Sequence, residues 1–588
     1  MAKAASRAKT TVKKPAKAVA KRAAKPAASA PKALVPLDPV VRGVDGKAAE
    51  ALAARLNRFQ NKNTWWRHNQ NGTLAQFDAA FDAAVAKLRK QLAAPKGNDH
   101  PLCIGAKQAG GEGAFTTLSP ADPSVATGTW AIGTPAHAKQ AIAAAKEAFP
   151  AWSAKPWQER AAILEKAADL FTEHFYDLCA VMSLEAGKTR FEASIDVDEG
   201  VDFLRYYALT VREMDGFDVL MGKPFPNETC RSVRKPWGVF AVVCPFNFPV
   251  AITAGMAAAA LVTGNTVVLK PSNKGCLSGW WVYRLLIEAG VPPGALSFLT
   301  ANDHALSTEL LTNPGVDGLV FTGSKKVGVM AWEAAAKNGR PKPLIAEMGG
   351  KNAVIVSPHA DLDKAVQGVF RSAFGYSGQK CSAASRVYVH AKVAKDFTER
   401  LVKLTQAARV GRPWQKETYM GPVIGADKLA LVAQLADEVQ MAGGQVLTGG
   451  TRVGRDADGS PLKGHYMAPT IVAGVPFDHR VFREEFFMPF LAVATYTDFG
   501  QAIAEANAVE YGLTAGLFSE DKKEQETFFA TIQAGVTYLN RAVGGSTGAV
   551  VNGQAFGGWK MSGTTGTGAG GRYYLLQFTK EQSQTRVA

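Results

Sequence analysis

The chain has 588 residues, of which 47% are hydrophobic and 20% charged, with 57 glycines and six cysteines. This is a globular composition, long enough for several domains. No run reaches the roughly 18 consecutive apolar residues of a membrane span. Cys103, Cys179, Cys230, Cys244, Cys276 and Cys381 are scattered without a Cys-x-x-Cys pair, against a disulfide framework or a bound metal and for a reducing, cytoplasmic compartment.

The net charge of +16 is unevenly spread, because residues 1–37 hold ten Lys or Arg and no acid. The remainder of the chain is only mildly basic. Residues 1–44 read as a disordered basic tail: Lys13-Lys14-Pro15-Ala16-Lys17 and its neighbours have nothing large to bury against the entropy of ordering. Contact with nucleic acid or another polyanion is a second reading of that lysine density, and a cleaved transit peptide a third.

Residues 45–100 read as a helical extension. Helices are expected over Gly46–Gln60 and Leu74–Leu92, around a polar segment with Trp65 and Trp66. Phe77, Phe81, Val85 and Leu88 recur at helical spacing and form a docking face. Packing accounts for the tryptophans more cheaply than binding.

From Pro101 the pattern becomes α/β. Helices are expected at Ala136–Phe149, Trp157–His174 and Phe191–Leu209. Strands Gly238–Cys244, Thr266–Leu269, Leu296–Leu299 and Gly318–Phe321 then alternate with helices. That alternation predicts a parallel, doubly wound sheet with ligands at the carboxyl ends of its strands. A second α/β run comes after it, with strands Ala353–Val356, Arg386–His390, Ala492–Tyr496, Gly512–Phe518 and Val536–Leu539. Tyr573–Thr585 reads as a final strand.

Five features carry chemistry, and each has a plainer alternative. Cys381 follows the glycine-punctuated segment Phe374–Lys380, where a thiol can reach a ligand; alone it reads as a small core hydrophobe. Asn247 lies between two prolines in Pro245-Phe246-Asn247-Phe248-Pro249, which preorganises its amide for an oxyanion; the alternative is a turn cap. Glu347 ends an apolar strand before Met348-Gly349-Gly350, where desolvation raises a carboxylate into the range of a general base; the alternative is an acid paired with a lysine. Gly323-x-x-x-x-Gly328 turns a strand into a helix and suits a phosphate, or is a plain turn. Lys270, at another strand end, can reach a ribose or phosphate, or snorkels to solvent.

With these residues in place, the chain resembles the aldehyde dehydrogenase superfamily from about Pro101 to the C-terminus. The carriers, in family order, are Pro-Phe-Asn-Phe-Pro, Lys-Pro-Ser, Phe-Thr-Gly-Ser, Glu-Met-Gly-Gly-Lys-Asn, Gly-Gln-Lys-Cys and Glu-Glu-Phe-Phe-x-Pro. The resemblance implies Cys381 as nucleophile, Glu347 as general base and Asn247 as oxyanion donor. For an NAD cofactor, with NADP as alternative, it implies Pro245, Phe246, Lys270, Ser272, Asn273, Gly323, Ser324, Gly328, Glu485 and Phe487. It implies a nucleotide-binding domain (101–216 and 234–348), a catalytic domain (349–565) and a β flap for homodimers or larger oligomers (217–233 and 566–588).

Within that superfamily the chain is most similar to the 1-pyrroline-5-carboxylate dehydrogenases, through Gly378–Arg386, Asp202–Ala208 and Thr547–Val551 before Gln554–Gly558. That likeness implies oxidation of L-glutamate 5-semialdehyde, with Ser382, Gly548 and Ala549 holding the substrate carboxylate and Phe556 walling its chain. The sequence departs from the subfamily at Ala555, Met488 and Gly571-Arg572-Tyr573. Two further readings stand beside it: a dehydrogenase for another aldehyde, aromatic or a different semialdehyde, and a polyanion-binding or scaffolding protein acting through its tail.

Overall fold

The computed structural model describes residues 59, 62–94, 97–302, 304–337, 341–542 and 550–587. The tail, nearly all of the expected helix Gly46–Gln60, and the candidates Gly548 and Ala549 lie outside the described residues.

Two seven-stranded sheets organise the rest. In the first, Leu344–Glu347, Gly318–Thr322, Val239–Val243, Thr266–Lys270 and Leu296–Phe298 run parallel in that spatial order. Leu102–Ile104 and Lys107–Ala109 extend its edge antiparallel. The central strands carry apolar residues on both faces because helices cover both. Phe240 and Val242 enter one core, with the helices Trp157–Glu173, Arg190–Glu213 and Ala251–Val262. Val239 and Ala241, pointing the other way, enter a second core with the helix Pro135–Ala154. The strand order reverses between Val239–Val243 and Gly318–Thr322. A crevice therefore opens at their carboxyl ends.

The second sheet orders Gln445–Thr448, Thr470–Ala473, Phe490–Tyr496, Ala384–His390, Asn352–Val356, Thr514–Phe518 and Val536–Leu539. All its neighbours are parallel except the first pair. Ala353 and Ile355 face one core, Val354 and Val356 the other. A separate antiparallel sheet joins Asp218–Leu220, Glu228–Pro236 and Thr579–Val587.

Several expected boundaries differ. A buried helix, Phe175–Glu185, follows His174 directly; nine of its eleven residues are buried, the polar Ser183 and Glu185 among them, so it shows no apolar stripe to read. Gly512–Phe518 is two short strands, with Tyr511–Gly512 turned aside to pair with Trp559–Lys560. Tyr574–Phe578 is a 3-10 helix, and the last strand begins only at Thr579. Asp99–His100, counted with the helical extension, pairs with Thr129–Trp130. In the extension itself, Phe77, Phe81, Val85 and Leu88 are all buried. A short helix, Trp65–Gln70, occupies part of the segment read as polar loop.

Candidate active site

Of the six cysteines, all free, five are buried and only Cys381 is partly exposed. Its position is set by a turn. The helix Leu362–Phe374 ends, and Tyr376, Ser377 and Gly378 then follow one another with φ of 47, 55 and 66°. Left-handed tyrosine and serine are costly unless the surroundings hold them. Here they do: Tyr376 Oη donates to the Ala186 carbonyl at 2.9 Å and Ser377 Oγ to the Gly421 carbonyl at 2.8 Å. At Gly378 a side chain would also run into the Met488 carbonyl. Gln379 accepts from the Ile424 N–H at 2.8 Å. Just beyond the thiol, Asn352 Nδ2 donates to the Cys381 carbonyl at 2.7 Å.

The thiol opens on a cavity of about 580 Å³ at the strand-order reversal of the first sheet. Asn247, Pro245, Phe246, Lys270, Ser272, Asn273, Gly323, Ser324, Glu485 and Phe487 line the same cavity. Asn247 is buried, and its Nδ2 donates at 3.1 Å to the carbonyl of Gln379, two residues before the thiol. A primary amide carries two N–H donors, so one hydrogen remains for a ligand atom beside Cys381. The Phe246 and Phe487 rings meet edge to face at 5.8 Å. Glu485 accepts from the Gly350 N–H at 2.8 Å, lying so close over Gly349 that a side chain there would overlap its carboxylate.

Four expected residues stand apart from this lining. Gly328 is buried one turn into its helix, facing the Met348 side chain rather than the cavity. Glu347 accepts from the Gly558 N–H at 3.1 Å, close enough to act on the charge of the thiol. Ser382 is buried, its carbonyl accepting from Thr514 Oγ1. Phe556 packs against the largest core.

The electrostatics favour neutral groups. Burial, reinforced by the charges of Glu485 and Glu347, pushes the Cys381 thiol up to about 12. Burial alone carries Glu347 well above the usual carboxylate range, although the Gly558 N–H opposes it. It brings Glu485 to about 7. A thiol at rest here is protonated, and Glu347 is a strong base once ionised.

Sequence patterns did not reveal what supports this site. Lys188 and Asp196, both fully buried, pair at 2.9 Å. The Lys188 ammonium lies 3.7 Å from the centre of the Phe248 ring and 4.6 Å from that of Tyr376. Asp196 also accepts from the Ala251 N–H at 2.7 Å. One ion pair thus ties together the segment carrying Asn247 and the turn carrying Cys381. A second buried pair, Lys380 with Glu192 at 2.7 Å, holds the residue next to the thiol. Lysines and acids of this kind read from sequence as surface charge; no local spacing marks them. Ile424, Asp427 and Lys428 also line the cavity from the second α/β unit.

Among the described residues no helix is long and apolar enough to cross a membrane, and no His, Cys, Asp and Glu cluster could hold a metal ion. The model of the aldehyde dehydrogenase family matches residues 107–584. A 1-pyrroline-5-carboxylate dehydrogenase of Geobacillus kaustophilus (strain HTA426) is 37% identical over 502 residues, 84% of this chain and 94% of its own. The 1-pyrroline-5-carboxylate dehydrogenase 2 of Bacillus subtilis (strain 168) is 36% identical over 504 residues, with the same coverage. The structure of a 1-pyrroline-5-carboxylate dehydrogenase from Thermus with bound NAD matches with a TM-score of 0.81 at 34% identity, over 87% of this chain and 96% of that one.

Proposed function

This chain belongs to the aldehyde dehydrogenase family, and on that basis we propose that it oxidises L-glutamate 5-semialdehyde, the open form of 1-pyrroline-5-carboxylate, to L-glutamate with NAD, a step of proline catabolism. The observation that carries the chemistry is the single accessible thiol, opening beside the Asn247 amide on the crevice of a doubly wound sheet. The names and coverage of its relatives support the substrate.

The lining fits a dinucleotide: a long cleft at the strand ends, close backbone at Gly323, a cation at Lys270, and apolar rings at Phe246 and Phe487. NAD, when bound, supplies the acceptor for the hydride that leaves the substrate carbon. Everything else falls to the chain. Cys381 Sγ gives up its proton to solvent in the cleft and attacks the aldehyde carbon, forming a thiohemiacetal whose oxygen carries the negative charge. Asn247 Nδ2 and the Cys381 backbone N–H donate to that oxygen, each worth on the order of 3 kcal/mol in the transition state. Loss of hydride leaves a thioester. Glu347 takes a proton from water, the resulting hydroxide adds to the thioester carbon, and the carboxylic acid departs as the thiolate leaves.

In this reading residues 101–216 with 234–348 bind the nucleotide and 349–565 carry the thiol. The sheet formed by 217–233 and 566–588 joins subunits of a homo-oligomer. Its exposed Val219, Leu220 and Phe225 support that assignment. Ser382, Gly548, Ala549 and Phe556 are assigned to the substrate on the resemblance alone. Cytoplasmic placement accompanies the reading, supported by six free cysteines.

The test is cofactor reduction with 1-pyrroline-5-carboxylate beside a panel of aldehydes, with Cys381→Ser as control. Pyrroline-5-carboxylate should be the best substrate and the variant inactive. Benzaldehyde-type substrates running faster by orders of magnitude would overturn the substrate. Full activity in Cys381→Ser would overturn the mechanism.

A further inference from the structure

The Trp65-Trp66 pair has no part in the chemistry above, and the structure places both side chains on a second cavity, of about 300 Å³. Both indoles are partly exposed there. Trp65 is anchored, its backbone N–H donating to Ser194 Oγ at 3.0 Å and its ring meeting Phe191 edge on. Trp66 meets no other aromatic ring among the described residues. Phe191 and Tyr419 line the cavity as well. The floor is the Lys380–Glu192 pair, both side chains about 95% buried.

The charges lining this cavity cancel pairwise, with one left over. Arg190 is held by Asp78 and Asp82, at 3.0 and 2.5 Å. Lys416 lies 3.3 Å from Asp78, Lys380 pairs with Glu192, and Glu417 with Arg409 at 3.3 Å. Arg371, at the end of the helix Leu362–Phe374, lines the cavity and makes no side-chain hydrogen bond or ion pair among the described residues. A planar guanidinium without a partner, beside flat apolar walls, matches a carboxylate on an aromatic body. The indole faces would cover the ring.

We propose that this cavity is a binding site, separate from the catalytic cleft, for a small aromatic monocarboxylate. It is independent of the reading of Cys381, none of whose proposed partners lines it.

Isothermal titration calorimetry of the full chain tests it, with 3-phenylpropionate as probe and 3-phenylpropanol as its uncharged counterpart. The acid is expected to bind saturably and about tenfold or more tighter than the alcohol, a difference of about 1.4 kcal/mol. Arg371→Gln should erase that preference, and Trp66→Ala should weaken both probes. Repeating the titration on protein alkylated at Cys381 separates the two cavities, since the acid should still bind. No saturable binding, equal binding of acid and alcohol, an unchanged preference in Arg371→Gln, or loss of binding on alkylation each overturns the proposal. If Trp66→Ala does not fold, the substitution Arg371→Gln decides alone.

Discussion

Lys188→Met isolates the ion pair under the active site. Both Lys188 and Asp196 are fully buried, with Nζ and Oδ2 2.9 Å apart. Removing the ammonium leaves Asp196 with the Ala251 N–H on one oxygen and no counter-charge. Breaking a buried pair from one side typically costs about 3–5 kcal/mol, because the remaining charge stays desolvated. The stranded carboxyl escapes by taking up a proton, so its folded-state pKa rises above the unfolded value. The folded state then holds more protons than the unfolded one, and stability falls as pH rises through that window. Urea unfolding of Lys188→Met should therefore show a loss of about 3–5 kcal/mol at pH 8 and a smaller one at pH 5. Adding Asp196→Asn should recover much of the loss and flatten the pH dependence. Turnover should fall too, because the ammonium packs on both Phe248 and Tyr376. A loss below about 1 kcal/mol, within the range of surface pairs, or no recovery in the double variant, would contradict this account of the pair.

Gly378→Ala places a side chain at φ 66° against the Met488 carbonyl. It should cost about 2 kcal/mol or more and slow alkylation of Cys381 by iodoacetamide, measured as a second-order rate. Glu347→Gln should preserve the first-turnover burst of cofactor reduction in stopped flow while steady-state turnover drops about 10²-fold or more; loss of the burst would move Glu347 to thiol activation. Burial raises Glu485 to about 7 from 4.5 in the folded state, so the protein should lose up to about 3 kcal/mol as pH rises through that range, less because the carboxylate opens on the cleft. Glu485→Gln should be more stable than the parent at pH 8 and equal to it at pH 4.5 by urea midpoint. The nucleotide cleft shows Lys270, Ser272, Asn273 and Lys274 in one run without a carboxylate, so NADP should serve within about tenfold of NAD. Asn273→Glu should then cut NADP efficiency about tenfold, or about 1.4 kcal/mol, and spare NAD; unchanged NADP kinetics would exclude that turn from the ribose.

The layered architecture and the motif-bearing turns were legible in the sequence, because both are written locally. Apolar runs alternating with helical stripes predict the parallel sheet, and the sheet leaves its strand ends free for Asn247 and Gly323. The glycines before Cys381 marked it as a candidate, yet that local signal alone could not show that its thiol escapes the burial of the other five. It took the packing of distant segments to leave it alone partly exposed, and to set it on one cavity with Asn247. The same limit explains Phe175–Glu185, buried at nine of eleven positions and therefore without a stripe, and Gly328, which turns to Met348 because its helix packs there. It explains Lys188 and Lys380 as well. Their type and spacing read as solvated charge, and their burial follows from where Asp196, Glu192, Phe248 and Tyr376 meet, across up to 188 residues of chain. Local chemistry sets what each segment can form; which charges lose water depends on how distant segments pack.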